Sequence, residues 1–472
     1  MTSFFLDQHG CAKNQVDGEL IIARLEEKGF ARAGSPENAD IIIINSCGFI
    51  ESAKKESLDA LMSARAAYPH AKIVLAGCLA ERYADVFKTE LPEADAIFGN
   101  GDIDAVGALA DRVLAGERPV ETPAQRGVCS GARRKLLGYP GSAYVKITEG
   151  CGNRCSFCAI PLIRGELRSR SEAEIIAEIE ELLERNTAEI NLIGQDIAAY
   201  GMDGTAAHDR RQWPSPPFPP VQAPVPETPY KSPLARLLSR ISALTGNFWV
   251  RLLYIHPDHF PADIIPIIKN DARILPYFDI PFQSGADAVI TAMNRTGSSA
   301  EYRSLAAAIR QELPQAVLRT TFLTGFPGET EADAAQTAAF LRDTAPDWSG
   351  CFSYSREEHT PAALMKRQVP RKTAAARARM LTELQEQITE RRLAQYIGSE
   401  QTILIEELIA GDEGIAVGRC WFQAPEVDGT AVVRYELDDD AACAAVQPGL
   451  FVRARVMGSD GVNLDALFIA PR

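Results

Sequence analysis

Along the first part of the chain, apolar and polar positions alternate between two textures. Short runs dense in Ile, Val, Leu and Phe ("SFFLDQHGC", "ADIIIINSCGF", "AKIVLAGC", "ADAIFGN") are separated by segments whose apolar residues recur at helical spacing ("VDGELIIARLEEKGF", ending at Gly29, then "ESAKKESLDALMSARAAY" and "ERYADVFKTEL"). A continuous apolar run suits a strand covered on both faces, and β-α alternation predicts a parallel sheet with helices packed against it, here over residues 1–120. From Tyr144 the alternation restarts. Strand-like runs "AYVKITEG", "EINLIGQD", "FWVRLLYIHP", "ILPYFDIPFQ", "AVLRTTFLTGFP" and "SGCFSYS" are divided by helices such as "SEAEIIAEIEELLERN" and "EYRSLAAAIRQEL". Six such units predict a partial (β/α) barrel over 138–375, with its chemistry at the carboxyl ends of the strands. A basic amphipathic helix, "RKTAAARARMLTELQEQITERRLAQY", then leads to short alternating strands separated by Gly, Asp and Pro, which predict a small antiparallel β-barrel over 396–472. The fold class is therefore α/β with a β-barrel appended. One stretch breaks the pattern: "TAAHDRRQWPSPPFPPVQAPVPETPYKSP", from residue 205, holds nine of the chain's 29 prolines and predicts an extended insertion.

Composition narrows the class. The chain has 472 residues, 46% hydrophobic and 24% charged, with a formal net charge of −14. It has ample apolar material for several cores, and its overall charge is wrong for coating nucleic acid. "MTSFFLDQHG" has no basic region ahead of a long apolar run, and no stretch approaches a membrane span, so a cytoplasmic protein with no membrane partner is expected. In a reducing compartment ten cysteines point to metal ligands or reactive thiols rather than disulfides.

Two sets of cysteines carry the chemistry. Cys151, Cys155 and Cys158 stand at x3 and x2 spacing just past the first barrel strand, where one loop can fold three thiolates around a cluster. Three thiolates on a [4Fe–4S] cube leave one iron open to a small molecule, which suits S-adenosyl-L-methionine and one-electron cleavage of its sulfonium. The competing reading is structural zinc with a fourth ligand from elsewhere. Phe157, beside the last cysteine, offers a flat side chain to a nucleoside. The second set, Cys11, Cys47 and Cys78, is dispersed, but each cysteine ends a predicted strand and has a glycine beside it. Carboxyl ends of neighbouring parallel strands converge, so the three thiols are expected to share one site, a second cluster with an open iron. Unrelated core cysteines are the alternative, and Cys129, Cys351, Cys420 and Cys443 are read that way. His256 and His259, on a strand-to-helix turn, are read as structural.

The Cys-x3-Cys-x-aromatic-Cys motif after a barrel strand resembles the radical S-adenosylmethionine superfamily. "FLTGFPGETEAD" resembles its later strand-and-turn whose backbone lies along the cofactor, which implies cofactor contacts at Gly325, Gly328 and Glu329. With the dispersed triad and the C-terminal barrel, nearly the whole chain resembles the methylthiotransferases: an N-terminal cluster domain, a radical barrel and a TRAM domain. The resemblance implies two [4Fe–4S] clusters, one generating a radical and one holding the sulfur to be delivered, together with an external electron donor.

Within that family "GCAKNQVDGE", "NSCGFIESAKKESLDAL" and "APEVDG" resemble the branch that modifies an aspartate β-carbon in small-subunit ribosomal protein twelve; the tRNA-modifying branch more often has Met-Asn where this chain has Lys13-Asn14. His9, Ser171 and Ser284 depart from the branch pattern, Ser284 beside Gln283 in a stretch more like the tRNA enzymes. In the C-terminal barrel Arg419, Arg434, Arg453, Arg455 and Arg472 face Glu406, Glu407, Asp412, Glu413, Glu426, Asp428, Glu436 and the run Asp438 to Asp440. An acidic module fits a basic ribosomal protein better than tRNA phosphates. Arg164 and Arg168 could bind a carboxylate or form structural ion pairs. The alternatives are a tRNA adenosine methylthiotransferase, an iron–sulfur carrier or redox sensor that would not need the barrel, and a cobalamin-dependent radical enzyme, disfavoured because "DQHGCA" lacks Asp-x-His-x-x-Gly.

Overall fold

The computed structural model describes residues 2–125, 127–204, 231–411 and 414–472. The Pro-rich insertion lies almost wholly outside them. Its last residues, Ser232 and Pro233, open the helix Pro233–Ser242, with the Ser232 hydroxyl accepting from the Ala235 N–H.

β1 (Ser3–Gln8), β2 (Ala31–Arg32), β3 (Ile41–Ser46), β4 (Lys72–Gly77), β5 (Ala96–Phe98) and β6 (Val120–Glu121) form an all-parallel sheet in the order β2-β1-β3-β4-β5-β6. The predicted strands occupy its centre. The two-residue edges β2 and β6 are too short to leave a pattern in the sequence. β1, β3 and β4 are adjacent, so the residues that follow them, Cys11, Cys47 and Cys78, emerge at one edge.

The second unit begins at β7 (Ser142–Lys146). A ribbon of β8 (Thr148–Glu149) and β9 (Arg168–Ser169) closes the cysteine loop between them, and β10 (Glu189–Ile193), β11 (Trp249–Leu252), β12 (Ile274–Asp279), β13 (Val317–Thr324) and β14 (Trp348–Ser353) complete a parallel sheet ordered β14-β13-β12-β11-β10-β7. Its outer residues, among them Val145, Leu192, Val250, Phe278 and Phe322, pack with the helices. Its inner residues, including Tyr144, Trp249, Tyr277 and Trp348, join a core that continues into both other units.

The C-terminal unit is a closed barrel of β15 (Glu400–Ile409), β16 (Ile415–Cys420), β17 (Ala431–Arg434), β18 (Phe451–Asp460) and β19 (Asn463–Pro471), antiparallel except for the β17–β19 pair that completes it. It docks through the loop that holds "APEVDG". The Trp348 indole N–H donates to the Phe422 carbonyl at 2.7 Å, Arg251 Nη1 donates to the Trp421 carbonyl at 2.8 Å, and Tyr277 donates to Asp428 at 2.5 Å. Glu189 meets Arg419 at 2.6 Å and Arg251 at 2.9 Å, and Arg419 also meets Glu406. The side chains of Arg419, Glu406 and Asp428 are thus buried docking groups, and the acidic excess of the module rests on its other residues. The exposed Arg453 and Arg455 are both spoken for by Glu400.

Candidate functional site

The dispersed triad is assembled by glycine and one asparagine. A Cβ placed on Gly10 would lie 3.1 Å from the Cys47 Cβ, and one on Gly48 would lie 2.6 Å from the Cys78 carbonyl oxygen. The glycine beside Cys11 and the glycine beside Cys47 therefore each rest against the next strand end, an approach that a side chain would obstruct. Asn14, in the first turn of the helix Ala12–Glu27, donates to the carbonyls of His9 at 2.7 Å, Asn45 at 3.1 Å and Ser46 at 3.3 Å. Its Oδ1 faces the Cys78 thiol at 3.8 Å. One amide thus ties the three cysteine-bearing ends together. Cys11 caps one helix and Cys78 begins another, where the N-terminal dipole favours thiolate. Gly48→Ala is expected to cost roughly 1–3 kcal/mol by driving a methyl into backbone. It should lower the melting temperature and reduce iron bound at this triad, with the Cys151 triad unaffected.

The thiols feel one another. Burial pushes Cys78 up to about 12 against the pull of Arg164, with Cys11 and Cys47 adding to the rise. Burial likewise raises Cys47. At Cys11 the crowding of protein around it is outweighed by Lys13, Arg164 and two backbone N–H groups, so this thiol lies below its ordinary value.

The compact triad lies in the loop between β8 and β9. Ser156 N–H donates to the Met293 carbonyl at 2.9 Å and its hydroxyl to the Ala292 carbonyl at 2.8 Å, while Asn294 donates to the Arg154 carbonyl at 2.9 Å. Arg295 donates to the Pro281 carbonyl at 2.6 Å and to the Cys155 thiol. Burial raises all three thiols, Cys158 to about 12. His256, read from sequence as structural, has its Nε2 4.0 Å from the Cys155 sulfur and stacks on His259 at 4.9 Å. Burial and Arg295 hold it below its ordinary value, as a neutral ring. His259 meets Asp196 at 2.6 Å, and Asp196 also accepts from Asn153 of the cysteine loop at 2.7 Å. The histidine pair thus braces the loop. No metal spacing reveals this brace, and no motif names a role for Arg295 or Asn14.

Phe157 packs, half-buried, against the cluster of Ala286, Val289, Met293, Phe326 and Ala362. Gly325 has φ +74° and faces Ala374 of the helix Arg371–Ala394, to which a Cβ would come within 2.2 Å. Glu329 accepts from the Gly325 N–H at 3.0 Å and pairs with Arg377 at 2.7 Å, while Gly328, also at positive φ, donates to the Arg367 carbonyl. The "GFPGE" turn therefore seats the linker helix. Ser284 is buried, bonded to Thr337 at 3.1 Å and to the Ala286 N–H at 3.2 Å, so this departure is internal packing. Ser171 forms a capping box with Glu174, which accounts for serine in place of proline. His9 lies between Asp7 and Glu56, at 3.2 Å and 3.4 Å.

One residue joins the two triads. Arg164 ends the helix Ile160–Arg164, which starts two residues after Cys158, and its Nη2 lies 3.1 Å from the Cys78 sulfur. It pairs with Asp17 and Glu149, both at 2.8 Å, and Lys146 pairs with the same two carboxylates. Cys78 also packs against Ala159 and Ile163. The two thiol sets are thus separated by one short helix. Arg168 is structural, donating to the carbonyls of Gly127, Arg164 and Glu166. Among the described residues no three His, Cys, Asp or Glu side chains converge on the volume of a single ion. Three thiols gathered at each site suit a cluster, whose irons would supply the positive charge that makes thiolates of them, better than they suit zinc.

Residues 3–99 match the Uncharacterized protein family UPF0004, 145–341 the Radical SAM superfamily and 397–469 the TRAM domain. The ribosomal protein uS12 methylthiotransferase RimO of Treponema denticola is 48% identical over 98% of this chain and 100% of that protein. The RimO of Syntrophomonas wolfei and that of Thermotoga maritima are 36% and 37% identical, each over 90% of this chain and 92% of their own. The chain belongs to the RimO family. As a RimO-family radical S-adenosylmethionine protein it uses that cofactor and a [4Fe–4S] cluster. Among solved structures, the radical S-adenosylmethionine methyltransferase TsrM from Kitasatospora setae superposes with a TM-score of 0.52 at 13% identity, over 77% of this chain and 75% of that one, a likeness of fold alone. Among the described residues no helix is long and apolar enough to cross a membrane.

Proposed function

We propose that this chain adds a methylthio group to the β-carbon of an aspartate in ribosomal protein uS12, using two [4Fe–4S] clusters, one held by Cys151, Cys155 and Cys158 and the other by Cys11, Cys47 and Cys78. The observation that carries the reading is the contact of Arg164 with Cys78, six residues after the compact triad ends at Cys158, because a reaction shared between two centres needs them close and fixed. An aliphatic C–H bond offers acid–base groups almost no purchase; the cluster with S-adenosyl-L-methionine supplies, when bound, one-electron cleavage to a 5′-deoxyadenosyl radical.

The chain's own groups hold and insulate. Arg295 and the neutral His256 flank Cys155, the guanidinium drawing that thiol toward thiolate while the imidazole adds no charge. Arg164, neutralised by Asp17 and Glu149, offers an N–H to Cys78 without adding net charge. Phe157 and the backbone of Gly325, Gly328 and Glu329 are assigned to the cofactor side of the barrel mouth, and an external donor must supply electrons.

The test is the mass of uS12 from cells lacking this gene. Loss of the methylthio mark at its aspartate, restored by the intact gene, is expected. Retention of the mark in the deletion strain overturns the assignment.

A further inference from the structure

The first turn of the helix Ala12–Glu27 carries a cation that the scheme above does not use. Lys13 is 7% exposed, and its Nζ sits 3.2 Å from the centroid of the Tyr254 ring. Tyr254 follows β11 at the mouth of the barrel and has φ +68°, a conformation costly for a bulky residue. Its backbone is fixed on both sides: its N–H donates to Asp279 at 3.1 Å, and its carbonyl accepts from the Ile197 N–H at 3.0 Å. The ring is thereby held under an ammonium that reaches across from the cluster domain, starting two residues from Cys11.

The charge balance around Lys13 is uneven. Lys146 and Arg164, the neighbouring buried cations, are matched by Asp17 and Glu149. Among the described residues Lys13 has the Tyr254 face and the electrostatic pull of Cys11, and no carboxylate at ion-pair distance. A buried ammonium needs a counter-charge, and an aromatic face compensates it only in part. The site is therefore built one anion short, between the Cys11 thiol and the barrel mouth.

We infer that Lys13 binds the carboxylate of the substrate aspartate and is a specificity-determining residue; this rests on the uS12 reading above. The chemistry fits the position. In an aspartate side chain the carboxylate carbon is bonded directly to the β-carbon, so an ion pair at the carboxylate fixes the reacting C–H one bond away. Asparagine has the same shape and no charge, so the contact selects against it.

The test uses full-length reconstituted protein and two probes: recombinant uS12, and uS12 with that aspartate replaced by asparagine. Wild-type protein is expected to bind the aspartate form more tightly by about 30-fold or more, the lower end of the range for truncating one partner of a buried charged pair. Lys13→Met should bind both forms alike, and Lys13→Arg should keep part of the preference. Iron and sulfide content, read on the same samples, guards against a loss that comes only from the cluster. If Lys13→Met keeps the aspartate preference, with or without a loss of iron, Lys13 is merely the counter-charge of Cys11 and the inference fails. If wild-type protein binds both forms equally, the inference fails and the substrate reading stands; if it binds neither form, the substrate reading fails.

Discussion

Replacing Cys11, Cys47 and Cys78 together with alanine is expected to leave a folded protein that holds about half the iron, still cleaves S-adenosyl-L-methionine and transfers no methylthio group. The separation follows from the architecture. The dispersed triad sits at the edge of the β1–β6 sheet, beyond the apolar interior formed by Ile42, Ile44, Leu75 and Ile97, so small side chains there cost little stability. The compact triad is held independently by the β8–β9 ribbon and by bonds to Met293, Ala292 and Asn294. Alanine at Cys151, Cys155 and Cys158 should give the opposite pattern, with iron retained at the sheet edge and 5′-deoxyadenosine lost altogether. Iron analysis, electron paramagnetic resonance and product chromatography on anaerobically prepared variants read all of these quantities. Full iron content in the first variant would mean that those thiols hold no cluster.

The convergence of three strand-end cysteines, each with a glycine beside it, was legible because parallel topology converts a recurrence along the chain into a convergence in space. The six-strand barrel and its cysteine loop were legible for the same local reasons: apolar runs of strand length and close cysteine spacing. The braces were not. Asn14 reaches Asn45 and Ser46, Arg164 reaches Cys78, and His256 reaches Cys155, each across a separation that no local pattern encodes. The seating of the linker helix by Gly325 and Glu329 was hidden too, because a turn that seats a helix and a turn that lines a ligand ask for the same glycines. Nor was the burial of Arg419 and Asp428 legible, because no local pattern marks a charged side chain whose partner lies across a domain boundary.

That boundary carries the second large expected effect. Glu189→Gln should weaken docking of the C-terminal barrel by about 3–5 kcal/mol, because it leaves Arg419 and Arg251 buried without their shared carboxylate. Gln keeps the volume, so the loss is electrostatic rather than a cavity. Burial alone would push the Glu189 carboxyl up, but Arg419 and Arg251 hold it well below the ordinary carboxylate range. Glu406, on the other side of Arg419, is pushed up by burial despite Arg419, with Glu189 adding to the rise. A depressed carboxyl stabilises the fold above its unfolded value, near 4.3, and loses that contribution as pH falls toward the folded one. The gap in thermal stability between wild type and Glu189→Gln should therefore be fully open at neutral pH and close progressively below about pH 4. Hydrogen exchange should locate the weakening in residues 419–429, the docking loop, with β1–β6 unaffected. A gap that stays constant from pH 7 to pH 3 would show that Glu189 contributes packing rather than charge, and that the apolar contacts of Phe422 and Ala424 with the inner face of the sheet hold the barrel in place.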